Sequence, residues 1–269
     1  MQNSAHTARY LLQELRESLR RMFLLAVAGI IVCLVLDNVN DIPLIWQKDI
    51  QDVSVLYYLY DSVNMGFYGM FVIPLMAALP YGLGYYRDEH AGITRTVISK
   101  TGIKTYCTGK ALTAFVSGFL SCVCGIGIFS VFISGFKPWG TQNLAVEYEG
   151  MPFDRWVMDG RYIEYFLIRV FLLGIWCGIC GLAALCISGY VKNASVVVAS
   201  VTVVLFGWNM VNNILEISVA YRPASWFSGS YSLGQDRKTL AACLLFTVFS
   251  ISALVTVFYK RVKKNLYTG

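Results

Sequence analysis

The sequence predicts an all-α integral membrane protein: six transmembrane helices, an N-terminal amphipathic interfacial helix, and a short cytoplasmic coupling helix between spans 2 and 3. Three observations carry that prediction. Hydrophobic residues make up 57% of the 269 and charged residues only 14%, with a mean hydropathy of +0.57, whereas a soluble domain carries about 25% charged residues. Apolar runs close to the roughly 20 residues that cross a bilayer core recur along the chain. Lys and Arg concentrate in alternate connecting segments, as cytoplasmic loops require. The whole chain, 1–269, is expected to form one transmembrane domain.

The elements follow in order. Over 5–21, Ala8, Leu11, Leu12, Leu15 and Leu19 recur at helical spacing, while Arg9, Arg16 and Arg20 lie elsewhere on the wheel. That pattern fits a basic amphipathic helix in the membrane interface or a helical extension of the first span. The spans are predicted at 22–39, 62–85, 111–136, 162–190, 194–214 and 240–259. The first is short unless Arg20 and Arg21 snorkel. Asp37 and Asn38 follow it in place of a small-residue cleavage site, so a retained span is expected rather than a cleaved leader. In the second, Pro74, Pro80, Gly82 and Gly84 predict a kink that acts as a hinge. In the fourth, Gly174, Gly178 and Gly181 share a face that admits another helix closely, within the bundle or across a dimer. Val191-Lys192-Asn193 joins spans four and five as a tight hairpin.

With both termini inside, the inner segments hold 14 Lys and Arg and the outer ones 7 of the chain's 22, Arg169 lying within the fourth span. The outer segments 38–61, 137–161 and 216–238 are rich in aromatics, including Trp46, Trp139, Trp156 and Trp226. Interfacial helices, the mouth of a pathway and plain aromatic belts all fit them.

Chemistry-bearing signals are sparse. The two histidines, His6 and His90, form no HExxH, and no GxSxG occurs, which points away from metal-assisted or serine hydrolysis. The 8 cysteines include a CxxC at Cys177 and Cys180, but no second ligand pair stands in the sequence, so they read as small membrane-core residues. Gly102 to Ala111 mimics a phosphate loop, yet has too many residues between its glycines and Ala111 where Ser or Thr is needed. No basic groove interleaved with aromatics appears, so nucleic acid is not an expected partner. Candidate substrate contacts are Arg169, Asn209 and Asn212. Arg169 equally fits an ion pair with Glu164 or snorkelling, and the asparagines, with Asn213 and Glu216, equally fit the outer boundary of the fifth span.

The most specific stretch is the charged segment 86–112. Asp88 and Glu89 are expected to open a short helix, where its dipole favours negative charge. Ile93, Val97 and Ile98 give it an apolar edge, and Thr101-Gly102 ends it. A solvated basic connector is the alternative, although 27 residues exceed what a connector needs. Glu89, Gly92, Tyr106 and Lys110 sit where this segment resembles the first cytoplasmic loop of type-2 ATP-binding-cassette (ABC) export permeases. That family usually has a proline in the turn before the third span; Thr101-Gly102 stands here instead.

The resemblance implies that Asp88, Glu89, Gly92, Ile93, Thr94, Arg95, Val97 and Ile98 contact an ATPase. It implies two ABC ATPase subunits, a second copy of this chain or a related permease, and a bacterial cell membrane with both termini cytoplasmic. ATP and magnesium would lie in the partner, with no cofactor and no enzymatic activity in this chain. The cargo would be amphipathic: a peptide such as a bacteriocin or toxin, an antibiotic, or a lipid-like molecule. The rival expectation is an ATP-independent membrane protein such as a channel or an immunity factor.

Overall fold

A computed structural model describes residues 10, 12–47, 53–141 and 148–268. Among the described residues 78% are helical and no strand occurs. In order, the helices used below are α1 (Leu12–Ser18), α2 (Arg21–Asp37), α3 (Val55–Tyr60), α4 (Ile73–Ala78), α5 (Gly84–His90) and α6 (Thr94–Thr101). Then come α7 (Ile103–Ser134), α8 (Asp154–Met158), α9 (Tyr162–Ser188), α10 (Ala194–Ile214), α11 (Pro223–Ser228) and α12 (Asp236–Thr268).

Among the described residues, four helices are long and apolar enough to cross a membrane: α7, α9, α10 and α12, the last over Asp236–Tyr267. A fifth crossing arises if α1 and α2, bent by 45°, count as one. These long apolar helices make the chain a multi-pass membrane protein. α7 begins eight residues before the predicted third span, so Tyr106 and Lys110 lie on its first turns rather than in a connecting turn. α10 matches its predicted bounds, with the Asn193 side chain accepting from Ser195 N–H at 3.0 Å to cap it.

The stretch predicted as the second span is not one helix. π-turns at Asp61–Met65 and Tyr68–Val72 flank Gly66, then α4, a turn at 79–83, and α5. The first break is built by two glycines and an acid. A Cβ at Gly69 would collide with the Ser62 carbonyl oxygen, so only glycine allows that approach. The Asp37 carboxylate accepts from the backbone N–H of Tyr68 (3.1 Å) and Gly69 (2.7 Å), replacing bonds the broken helix forgoes. The second break, at 79–83, overlaps the kink predicted at Pro80, Gly82 and Gly84. Pro74 causes none, because it sits in the first turn of α4, where its missing N–H is not needed.

α9 is the central helix: 78% of its most apolar window is buried, against 11% for α10 and for α12. Its glycine face packs on α7 within the bundle. A Cβ at Gly178 would lie 2.9 Å from the Phe115 carbonyl, and one at Gly181 2.9 Å from that of Ala114. α10 and α12 turn large apolar side chains outward, among them Val203, Val204, Leu245 and Phe249, as a lipid-facing surface does.

α1 is oriented against expectation for a helix lying on the bundle. Glu14 and Ser18 are buried, while Leu12 and Leu19 are exposed. Of the predicted 5–21 helix, residues 5–9 and 11 lie outside the described residues. Contacts define two ends of the molecule. At one, the Val55 and Leu56 N–H groups bond the Pro138 and Trp139 carbonyls, and Phe153 N–H bonds Asp236. At the other, basic end lie α1, α5, α6, the 189–193 hairpin and the end of α12.

Candidate functional site

At the basic end the chain turns twice on left-handed glycines. Gly92 (φ 69°) separates α5 from α6, and Gly102 (φ 81°) separates α6 from α7. Asp88 and Glu89 therefore lie in the last turn of α5, not at the start of α6, whose first turn holds no acid. Carboxylates at a helix C-terminus face an unfavourable dipole, and Asp88 is compensated by an ammonium. Lys110 Nζ lies 2.9 Å from Asp88 Oδ2 and 3.0 Å from Glu14 Oε2, and donates to Tyr81 OH at 2.8 Å. Tyr106 OH donates to the same Asp88 oxygen at 2.8 Å. Lys110 is 2% exposed and stands over the rings of Tyr81 (5.1 Å) and Tyr106 (5.6 Å). This knot ties α1, α5 and α7 together. Burial pushes the Glu14 carboxyl above its ordinary range, against the opposing pull of Lys110.

The expected contact set divides into two. Glu89, Gly92, Ile93 and Arg95 face outward; Thr94 is buried and Asp88 turns into the knot. Val97 and Ile98 are half-buried against the cluster of Tyr81, Tyr85 and Tyr106. Glu89 opens onto a polar cleft of about 260 Å³ shared with Lys192, Arg261 and Asn265. Arg261 donates to the Gly189 carbonyl at 2.8 Å and covers the Tyr190 ring at 4.5 Å, while Asn265 donates to Tyr85 OH at 3.0 Å. The 189–193 hairpin, the end of α12 and α5 are thus tied together.

Toward the opposite end, the three candidate substrate contacts separate. Arg169 is 2% exposed and lines no described cavity. Its Nη1 donates to Tyr165 OH and to the Gly229 carbonyl, both at 2.9 Å. It is a tether for the segment ending at Gly229, and Glu164 pairs with Arg161 at 3.2 Å instead. Asn209 and Asn212 do come together, on a cavity of about 250 Å³ between the broken 61–72 segment, α9 and α10. Phe71, Trp176 and Trp208 line its apolar side, and Arg222 its polar end. The sequence reading missed these four. The broken helix was the available signal, because interrupted helices mark binding sites in membrane bundles. Glu14 was missed as well, since nothing local links residues 14 and 110.

No protein-family model, curated protein or solved structure matches this chain.

Proposed function

We propose that this chain is the membrane subunit of an ATP-driven exporter of the type-2 ABC kind, moving an amphipathic cargo out of a bacterial cell. In this reading six passes cross the membrane, α2 and the interrupted stretch 62–85 being the first two, α1 lies at the interface, and both termini are cytoplasmic. Two ATPase subunits supply ATP and magnesium, and a second copy of this chain completes the pathway.

One observation supports it above the others. α6 is an eight-residue helix slung between two left-handed glycines, and the segments on both sides of it are pinned to one buried lysine. A partner pressing on Ile93 and Arg95 would displace α5 and α7 together, and α5 leads directly into the turn at 79–83. A simple connector has no need for such a rigid joint. The cleft at Glu89 supplies the partner with polar contacts beside the apolar one at Ile93.

The test is coexpression with the ATPase encoded beside this chain, followed by purification in mild detergent. The two are expected to copurify, and the Glu89→Ala/Ile93→Asp double variant to insert normally but to uncouple ATP hydrolysis from export. Absence of copurification, with export indifferent to the ATPase, would favour an ATP-independent membrane protein. Normal export by the double variant would displace the contact from Glu89 and Ile93.

A further inference from the structure

The cavity at Asn212 carries a chemical signature of its own. Its wall is mostly apolar, with Phe71, Trp176 and Trp208 the largest side chains. Among the described residues, Arg222 is the one ionic side chain on that wall. No carboxylate among the described residues pairs with it: Nε and Nη2 donate to the Ile217 carbonyl at 3.0 and 2.8 Å, Nη2 also to the Asn212 carbonyl at 3.3 Å, and Nη1 to Asn213 Oδ1 at 2.8 Å. A guanidinium has five N–H groups, so one at Nη1 is left without a partner. The charge itself is uncompensated. Asn212 is 2% exposed, and its side-chain amide makes no hydrogen bond among the described residues. The residue lies on the cavity wall and its amide is not sealed off, so the amide is open to whatever occupies the cavity. Ser228 and Ser230 add hydroxyls on the same wall.

An apolar chamber ending in an unpaired cation, an unbonded amide and hydroxyls is complementary to one kind of molecule. We propose that this cavity binds an anionic, single-tailed amphiphile. The negative head, a carboxylate or phosphate monoester, accepts from Asn212 and Arg222, and the tail lies between Trp176 and Trp208. At about 30 Å³ per water-sized unit, the roughly 250 Å³ chamber holds about eight such units, enough for the head and a short tail. Longer tails leave past Met70 and Trp208, wall residues that are 41% and 54% exposed. A cationic head would meet Arg222 with no acid to receive it. A neutral head would leave the charge uncompensated.

The inference rests on the cavity alone and is independent of any ATPase, so its failure and the failure of the exporter reading are separately visible. The full chain, in nanodiscs of phosphatidylcholine, is titrated with decanoate bearing a terminal bromine, which quenches tryptophan on contact. Saturable quenching is expected, at least about tenfold tighter than with terminally brominated decanol, as a charge-assisted pair requires. The Trp176→Phe/Trp208→Phe variant should lose the saturable component. Asn212→Asp, an isosteric change that brings in a negative charge, should weaken decanoate by about tenfold or more and decanol by less than about threefold. Arg222→Gln should act likewise, and if it fails to insert, Asn212→Asp decides alone. Equal, unsaturable quenching by acid and alcohol would overturn the proposal, as would a decanoate affinity unchanged in Asn212→Asp. Displacement of decanoate by inorganic phosphate alone would make the site one for a small anion and overturn the amphiphile.

Discussion

Lys110→Met should free the N-terminal helix from the bundle. In the parent, Lys110 Nζ touches Glu14 Oε2 at 3.0 Å and Asp88 Oδ2 at 2.9 Å. Removing the ammonium leaves two largely buried carboxylates facing each other. For unit charges about 6 Å apart at an effective dielectric near 20, the repulsion is about 3 kcal/mol. That falls in the range of about 3–5 kcal/mol seen when one partner of a buried pair is deleted. The cheapest relief is for α1 to leave, because Asp88 is fixed by Tyr106 and by the turn at Gly92, whereas α1 is joined to α2 through a bend. About 3 kcal/mol corresponds to an undocked population raised roughly 150-fold. Hydrogen exchange in mild detergent reads this directly. Amides of 12–18 should lose protection by about two orders of magnitude, while the α7–α9 core should keep its own. Adding Glu14→Gln and Asp88→Asn to Lys110→Met should restore most of the protection, because neutral isosteres remove the repulsion. Exchange at 12–18 within about threefold of the parent in Lys110→Met would refute the reasoning.

The same knot predicts a pH dependence. Burial raises the Glu14 carboxyl above its ordinary 4.5, so the docked state binds the proton more tightly than the undocked one. Docking is then strongest in acid and weakens as pH rises through the docked-state value. A spin label at Leu12→Cys should become less mobile as pH falls from 7 toward 5, and Glu14→Gln should flatten that response. Gly69→Ala drives a Cβ into the Ser62 carbonyl at the break below Asp37 and should cost about 1–3 kcal/mol, read as a lowered melting temperature in detergent. Gly229 is left-handed (φ 66°), and a Cβ there would meet the Arg169 guanidinium. Gly229→Ala should therefore destabilise by at least about 1 kcal/mol in the same melt, and more than Gly234→Ala, where a Cβ meets nothing at a similar φ of 84°.

Hydropathy and charge sufficed for the long helices. α9 and α10 begin where expected because apolar length and an asparagine cap are local properties. The ends of α5 and α6 were legible in part: the glycines were visible, but which of them would take positive φ was not. Placing Asp88 and Glu89 at the start of α6 followed from helix-dipole preference alone. The chain overrides that preference because a lysine 22 residues further on supplies the compensating charge.

What the sequence determined by itself is therefore the bilayer as solvent, the apolar helices suited to it, and a glycine face on α9 that admits a close neighbour. Those depend on composition and on spacing within one helix. What only the tertiary structure decided is which polar groups face each other. Glu14 meets Lys110 across 96 residues, Arg169 meets Gly229 across 60, and Asp37 satisfies the broken backbone at Gly69 across 32. Each is a polar group at least partly withdrawn from water that must find a partner inside the bundle. Which partner it finds is fixed by how the helices stack, a property no local window of sequence contains.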